Sequence, residues 1–305
     1  MTLALVYWEY PSENLLIYLP YVFFCITFYF LIYTQKNFGL MLVAFSGCLF
    51  FWYQQKPKHD RMWIDYQERL PIVNISHSKI HVENLRHDLR YMKKGKLEWL
   101  TRSYNLEELT DVRFALVELT EWKGIAHVFL SFNFNDKDFL SVSGEIRREK
   151  DEKYSPLNGL FKNYEMMIVL GTEIDLVGVR IFDHKDPINF YPLNISQENS
   201  KKLLLNLMKK CQEIQKEPEH YHTFTNNCAT LIHDQLYKIY GVDYSYDLRL
   251  LFPGYLDEIG VVENLIIKSG SGNVRGSYKI NHLVNQNLSG NAWSLKIREK
   301  RDIQN

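Results

Sequence analysis

The alternation of apolar and polar positions predicts β-strands between residues 72 and 146. Residues 72–82 alternate over a length that suits one or two strands. Residues 112–119, 126–134 and 139–146 predict three more. The polar residues 135–138 supply turn chemistry between the last two. We therefore expect an antiparallel sheet.

A helical period dominates the second half. Ser196 is a suitable N-cap for a helix that extends to about Lys216, and Pro218 follows it. A second helix is expected to begin near Asn227 and to end at Gly241, a residue type common just past helix ends. The first helix carries an apolar stripe, Leu204, Leu207, Cys211 and Ile214, whose spacing is that of a core face.

Two segments in between give weaker signals. Residues 157–170 are compatible with either a helix or a strand, and residues 175–182 predict a strand. The polar stretch after about Lys268, which contains SGSGNVRGS, predicts a flexible or loosely attached tail. These patterns divide the chain into a folded domain at 56–268 and a C-terminal tail at 269–305.

The N-terminal region is apolar instead of amphipathic. Residues 15–33 carry no charge over nineteen residues, which is long enough to cross a hydrocarbon core of about 30 Å as a helix. Residues 38–53 are also apolar but marginal in length. We predict a transmembrane helical hairpin within residues 1–55.

Charge gives little further information. The chain has 36 basic and 36 acidic residues, so a nucleic-acid partner is not expected. Lys36 between the predicted spans and Lys56, Lys58 and Arg61 after them favour opposite orientations in a membrane. Charge bias therefore does not decide the topology.

One of the four cysteines differs from the others in its setting. Cys25 and Cys48 lie in the apolar segments, and Cys211 lies on the apolar stripe of the first predicted helix. Cys228 falls at the start of the second helix, with Thr225, Asn226 or Asn227 as the N-cap. Unpaired amides and the positive end of the helix dipole are expected to lower the pKa of its thiol. Cys228 is thus a candidate nucleophile.

The candidate base is His127. It lies on the face of its strand opposite the apolar stripe. If the following turn has an odd number of residues, such as 135–137, Phe134 faces Asp138 and His127 faces Glu145, with Cβ atoms about 5 Å apart. An even-numbered turn would separate His127 from Glu145. The parity of this turn decides whether a carboxylate can orient the imidazole.

No cofactor or metal is expected from the sequence. His220 and His222 alternate in HYH, and His233 follows on the next helix, but no further ligand stands at a spacing typical of zinc sites. A structural role for these histidines is the simpler interpretation.

The motifs around these residues resemble a known family. From about Trp63 to Gly260 the chain resembles the lipoprotein N-acyltransferase Lnb family in its catalytic domain, through RLPIVNISHSKIHVENLRH, WKGIAHVFLSF, SVSGEIRREK, TNNCATLI and LFPGYLDEIG. The order of histidine and cysteine is also similar to that of circularly permuted papain-like enzymes, which include lecithin:retinol acyltransferase and NlpC-type relatives. The fold implied is α+β: a papain-like (circularly permuted NlpC-type) domain with an antiparallel sheet packed on helices.

The resemblance implies acyl transfer at the bacterial inner membrane, with the catalytic domain on the periplasmic face. Cys228 would attack an ester of a membrane phospholipid and form a thioester. His127 would then assist the α-amine of a lipoprotein N-terminal diacylglyceryl-cysteine in resolving it. The Cys228 amide, with Asn226 or Asn227, would stabilise the oxyanion.

The third catalytic residue is less well defined. Glu145 is our choice, Glu165 is the reserve, and Tyr164 is a candidate for contact with the site. Two other functions stay open. One is a membrane-anchored cysteine hydrolase (a peptidase, amidase or phospholipase) that uses the same Cys228 and His127 with water as acceptor. The other is a catalytically silent interaction domain at the membrane.

Overall fold

A computed structural model describes residues 22, 25–29, 38–87, 97–242, 247–267, 274–284 and 290–299. Eight strands form one sheet in the order β1-β2-β7-β6-β5-β4-β8, and β3 pairs with β2 beside this path. The pairing is antiparallel except between β2 and β7. The strands are β1 Ile72–Ser76, β2 Lys79–His87, β3 Glu98–Asn105, β4 Leu109–Glu118, β5 Ala126–Phe134, β6 Asp138–Arg147, β7 Glu165–Gly171 and β8 Ile188–Pro192.

Helices cover both faces of the sheet. The α-helices are α1 Phe38–Gln54, α2 Pro156–Leu160, α3 Glu173–Val179, α4 Gln197–Lys216, α5 Cys228–Tyr240, α6 Leu256–Val262 and α7 Gly290–Lys296. Single 3-10 turns occur at Asp65–Gln67, Leu106–Glu108, Leu248–Leu251 and Pro253–Tyr255, a π-turn at Arg180–His184, and a kinked turn at Val274–Ser277. The buried side chains of α4 and α5 pack on one face, and those of α3 and α7 pack on the other.

Most of the predicted elements are confirmed. Residues 72–82 fall in β1 and β2, and the three strands predicted next are β4, β5 and β6. The N-cap of α4 is Ser196, whose side chain accepts a hydrogen bond from the Asn199 amide. Gly241 ends α5 with a φ of 70°, a left-handed conformation that glycine adopts without steric cost. The ambiguous stretch 157–170 contains both α2 and β7.

The strand predicted at 175–182 is wrong, because this segment forms α3 and the π-turn after it. Every residue of α3 is buried, so its apolar pattern carries no helical period. Its acidic residues are neutralised inside the fold: Asp175 accepts a hydrogen bond of 2.6 Å from Arg86, and Glu173 pairs with Arg298. Buried ion pairs of this kind are not visible in a local pattern.

The tail is less loosely attached than its composition indicates. Within 290–299, Trp293 is fully buried and Ile297 packs in the same core as α3. Arg298 hydrogen-bonds to Ser131 of β5. One tryptophan and one arginine thus bind this segment to the sheet, although the segment as a whole is polar.

The N-terminal prediction is only partly covered. The first predicted span, 15–33, lies outside the described residues apart from 22 and 25–29. The second forms α1, a helix of 17 residues whose Val43, Phe50 and Tyr53 are more than half exposed. In the parts of the chain that the structure describes, we find no helix with both the length and the apolarity needed to cross a bilayer.

Candidate active site

The hairpin between β5 and β6 has the odd-numbered turn on which the His127–Glu145 prediction depends. Phe134 pairs with Asp138, and the pairing continues as far as Leu130 with Val142. Beyond this point β5 stays paired with β4 up to Ala126, and β6 stays paired with β7 up to Arg147. The two strands therefore separate, and they leave a fork in the sheet at the end that carries His127 and Glu145.

Helix α5 begins at this fork. Asn227 caps it: the Asn227 side chain accepts hydrogen bonds from the amides of Ala229 and Thr230, and the Thr230 hydroxyl accepts one from the Asn227 amide. Cys228 is the first helical residue, as the sequence predicts. Gly144 allows the close approach, because a Cβ there would lie 3.4 Å from the Cys228 Cα and 2.9 Å from a methyl group of Leu231.

Burial disfavours the thiolate form of Cys228, contrary to our expectation. Burial raises the pKa of the thiol to about 11. Hydrogen bonds from the amides of Val128, Ala229 and Cys228 itself lower the pKa but do not outweigh burial. The amides at the helix start do act on the sulfur as predicted; what the sequence does not show is that only 6% of Cys228 is exposed.

His127 is also neutral. Burial, and next the charge of Arg180, lower the pKa of the imidazole to about 4, although the charge of Glu145 opposes them. The His127 Nε2 lies 2.9 Å from Ser143 Oγ. Which of these two atoms donates depends on the tautomer. If Nε2–H donates to Ser143, the other ring nitrogen is unprotonated and can accept a proton.

Glu145 is ionised and sits at the end of a charge network on the same face as His127. Burial disfavours its charge, but Arg86, His127 and Arg180 and a hydrogen bond from Ser143 lower the pKa of the carboxyl overall. Arg86 lies 3.7 Å from Glu145 and 2.6 Å from Asp175. Ser143 thus connects the imidazole to the carboxylate, where the sequence predicts direct contact.

The imidazole and the sulfur approach the fork from opposite faces of the sheet. Cys228 packs in the core beside Val128, whereas His127 shares the other face with Phe129 and Val117. Strand amides point within the plane of the sheet. The Val128 amide is among the groups that lower the pKa of the thiol, so the sulfur lies near the backbone of β5 next to His127. The unpaired end of β5 and β6 therefore has Cys228 on one face of the sheet and His127 on the other.

The predicted supporting asparagines are engaged in the backbone framework. Asn226 Nδ2 donates to the His220 carbonyl at 2.8 Å, and Asn227 Nδ2 donates to the Thr223 carbonyl at 2.7 Å. Both side chains shape the loop that leads into α5. The backbone amides of Val128 and Cys228 are better candidates to stabilise an oxyanion, because both act on the sulfur, whereas the Ala229 amide already donates to Asn227.

Tyr164 and the reserve residue Glu165 hold other contacts. The Tyr164 hydroxyl donates to the Lys153 carbonyl at 2.6 Å and accepts from the Ser155 amide. Glu165 accepts from Arg61 and from the Lys58 amide, both at 3.0 Å, and burial raises its pKa to about 7. These two residues join the segment after α1 and the loop before α2 to the sheet.

Three residues near the candidate site, Ser143, Tyr154 and Tyr221, are not indicated by the sequence. Ser143 lies in a run, SVSG, that reads as an ordinary strand. Tyr154 and Tyr221 lie close enough to Cys228 that, after burial, its charge raises their pKa. Tyr154 is 53% exposed and so borders the sulfur on the solvent side. The loop positions of the two tyrosines carry no sequence signal for this.

The histidines that follow β7 make separate contacts. His220 Nε2 lies 3.1 Å from the Gln55 carbonyl, and His222 accepts from the amides of Phe224 and Thr225. Among the described residues, no group of three or more histidine, cysteine or acidic side chains is arranged to hold a metal ion.

A buried cysteine at the start of a helix, a histidine on the strand β5, and a serine and a carboxylate on the same face of the sheet as the histidine make the chain a candidate cysteine-dependent enzyme. The family model described as the Lnb N-terminal periplasmic domain matches residues 96–254, just over half of the chain. The chain belongs to this family, which indicates a lipoprotein-modifying membrane enzyme with a periplasmic domain. No curated protein and no solved structure matches it.

Proposed function

We propose that this protein is a lipoprotein N-acyltransferase with Cys228 as the nucleophile and His127 as its base. The observation that carries the proposal is that Cys228 begins α5 at the unpaired end of the strand that carries His127, where the Val128 amide lowers the pKa of its thiol. Membership of the Lnb family supplies the substrate class.

The first half-reaction starts from a neutral pair. The pKa of the thiol is raised to about 11 and that of the imidazole is lowered to about 4, so no ion pair forms at rest. The proton therefore leaves the sulfur as it attacks the ester carbonyl of a membrane phospholipid, and His127 accepts it. His127 returns this proton to the departing glycerol oxygen. A lysophospholipid is released, and the acyl chain stays on Cys228 as a thioester.

The second half-reaction reverses these roles. The α-amine of a diacylglyceryl-cysteine attacks the thioester, and His127 takes one amine proton. The C–S bond breaks, the amide forms, and the proton passes to the sulfur, which restores the thiol. The excess positive charge on His127 during both steps is stabilised by Glu145 through Ser143. The amides of Val128 and Cys228 stabilise the tetrahedral oxyanion.

A papain-like architecture and a membrane anchor belong to the same proposal. A cysteine helix packed on an antiparallel sheet that carries the histidine is the arrangement of papain-like enzymes, and here α5 meets β5 and β6 in this way. The uncharged α1, with its exposed apolar side chains, suits contact with a bilayer. An anchor at the inner membrane would hold the site near two substrates that stay in the lipid.

The experiment is mass spectrometry of lipoprotein N-terminal peptides from cells that carry the wild-type protein or Cys228→Ala. We expect the amide-linked acyl chain in the first and its loss in the second. Unchanged N-termini with altered lipid or cell-wall turnover would instead favour a hydrolase that uses the same cysteine. Identical profiles in all respects would favour a silent interaction domain.

A further inference from the structure

A narrow apolar cavity of about 160 Å³ lies between α5, the sheet and α6. Its inner end is formed by Ala229, Leu130 and Phe114. Ala229 directly follows the nucleophile, and Leu130 is two residues beyond Val128, whose amide lowers the pKa of the thiol. The cavity therefore reaches residues next to Cys228 in α5 and near it on β5.

From this inner end the cavity follows one face of α5. Its lining includes Ile232, Leu236 and Tyr240, which succeed Ala229 at helical spacing. Tyr240 lies eleven positions after Ala229, a length of about 16 Å along a helix. Leu256 and Ile266 close the opposite wall. The result is an elongated space that leads away from the nucleophile.

The outer end is open to solvent and apolar. Tyr237, Tyr240 and Val242, which lie at this end, are each more than 40% exposed. His233 and Glu263 also line the cavity, but most of its lining is apolar, so an apolar ligand can enter along these exposed apolar side chains.

We propose that this cavity, the α5 groove, holds the hydrocarbon chain of the acyl group while its carbonyl carbon is bonded to Cys228. The inference rests on the proposed acyltransferase function and adds where the chain lies. An apolar space of about 150 Å³ is known to stay dry and to take apolar ligands. A peptide helix, about 10 Å wide, does not fit. A flexible hydrocarbon chain has the shape and the chemistry of the space.

The length of the α5 groove limits the length of the acyl chain that it can hold. Each methylene removed from water contributes about 0.8 kcal/mol, so each one seated in the groove is expected to raise kcat/KM about fourfold until the groove is full. Chains longer than the groove gain nothing further inside it. The distance from Cys228 to the point at which the groove is blocked therefore sets the preferred length.

The test uses the full chain in lipid nanodiscs with p-nitrophenyl esters of 2 to about 16 acyl carbons. These esters are probes and not the natural acyl donor. The variants are Leu236→Trp, which blocks the groove midway, and Lys238→Trp, an exposed position on the same helix that does not line it. The readouts are the rate of p-nitrophenol release and the mass of the Cys228 peptide. A thermal melt of each variant controls for folding.

We expect Leu236→Trp to keep the wild-type rate with acetate and butyrate and to lose at least tenfold with the longest chains. Lys238→Trp should keep the wild-type chain-length profile. The same profile in Leu236→Trp and the wild type would overturn the assignment of the groove while leaving the acyltransferase proposal intact. Failure of every ester to acylate Cys228 in the wild type would instead count against the proposed function itself.

If Leu236→Trp unfolds, Cys228→Ala provides a second measurement. Binding of the fluorescent fatty acid cis-parinaric acid to this variant should be saturable and should be abolished when Leu256→Trp is added. Retained binding in the double variant would place the chain elsewhere and would contradict the assignment.

Discussion

The hydroxyl of Ser143 connects the imidazole of His127 to the carboxylate of Glu145, and its removal is a direct test of the network. Ser143 is fully buried, its Oγ lies 2.9 Å from His127 Nε2, and it is one of the groups that lower the pKa of Glu145. Ser143→Ala deletes these contacts and leaves the strand and its pairing with β7 unchanged.

The size of the effect follows from burial. A buried polar partner that loses its hydrogen bond costs about 1–3 kcal/mol, and bonds to charged groups lie toward the upper end of this range. The bond to His127 strengthens when the imidazole becomes charged in the transition state. Because about 1.4 kcal/mol corresponds to a factor of ten, kcat/KM should fall by about five- to 150-fold.

The assay is the rate of Cys228 acylation by a short activated ester, measured together with urea unfolding. The matched control is Ser141→Ala. Ser141 is equally buried on the same strand and the same face, and its Oγ has no hydrogen-bond partner among the described residues. We expect Ser141→Ala to keep full activity and to be neutral or slightly stabilising, since no bond is lost.

Ser143→Thr extends the test because it retains the hydroxyl. Partial recovery of activity in this variant would separate loss of the hydrogen bond from loss of packing. Full activity in both Ser143→Ala and Ser141→Ala would refute a role for Ser143 in positioning His127. An equal loss of activity in both would also refute it, because it would show that this face of β6 tolerates no change.

Three further predictions concern the helix start and its sulfur. The rate of iodoacetamide alkylation at the Cys228 peptide should rise about tenfold per pH unit between pH 7 and 9, because the thiol pKa is raised to about 11; a plateau below pH 7 would show an ion pair instead. Asn227→Ala removes the cap of α5 and should lower the free energy of unfolding by about 1–2 kcal/mol in urea, while no loss would contradict the capping role. Gly144→Ala places a Cβ against Leu231 and Met166, so it should destabilise the fold by about 1–3 kcal/mol and slow acylation; unchanged values of both would show that α5 does not need this approach.

The pH dependence of folding provides one more check. The pKa of His127 is lowered to about 4 in the fold, below its ordinary value of 6.5. Between these two values the unfolded chain binds a proton that the folded chain does not, so stability rises with pH across this window. In urea titrations the slope between pH 4 and 6.5 should decrease in His127→Gln. An unchanged slope would show that another group causes it.

The local pattern was sufficient where apolar and polar residues alternate or recur at helical spacing, as in the strand that carries His127 and in the two long helices. The sequence left the parity of the turn before Asp138 open, and the structure has the odd-numbered turn. The pattern failed at α3, whose residues are buried on every side, so that neither a period of two nor one of 3.6 stands out.

The site shows a similar division. The residue types and their order point to Cys228 and His127, but the fork depends on where the pairing of β5 and β6 stops, which no local pattern encodes. The protonation of the thiol was predicted in the wrong direction, because the effect of the helix start is local whereas burial depends on the whole fold. Ser143 was missed since a hydroxyl in a strand has no distinctive signature.

The most direct measurement of the proposed chemistry is the intact mass of the full chain after incubation with vesicles of a phospholipid of known acyl composition. We expect a mass increase equal to one acyl group of the supplied lipid, located on the Cys228 peptide and removed by neutral hydroxylamine, as a thioester would be. The adduct should be absent from Cys228→Ala and present in Cys211→Ala, a buried cysteine on α4 that lies outside the site. An adduct that persists in Cys228→Ala, or no adduct in the wild type, would contradict Cys228 as the acyl carrier.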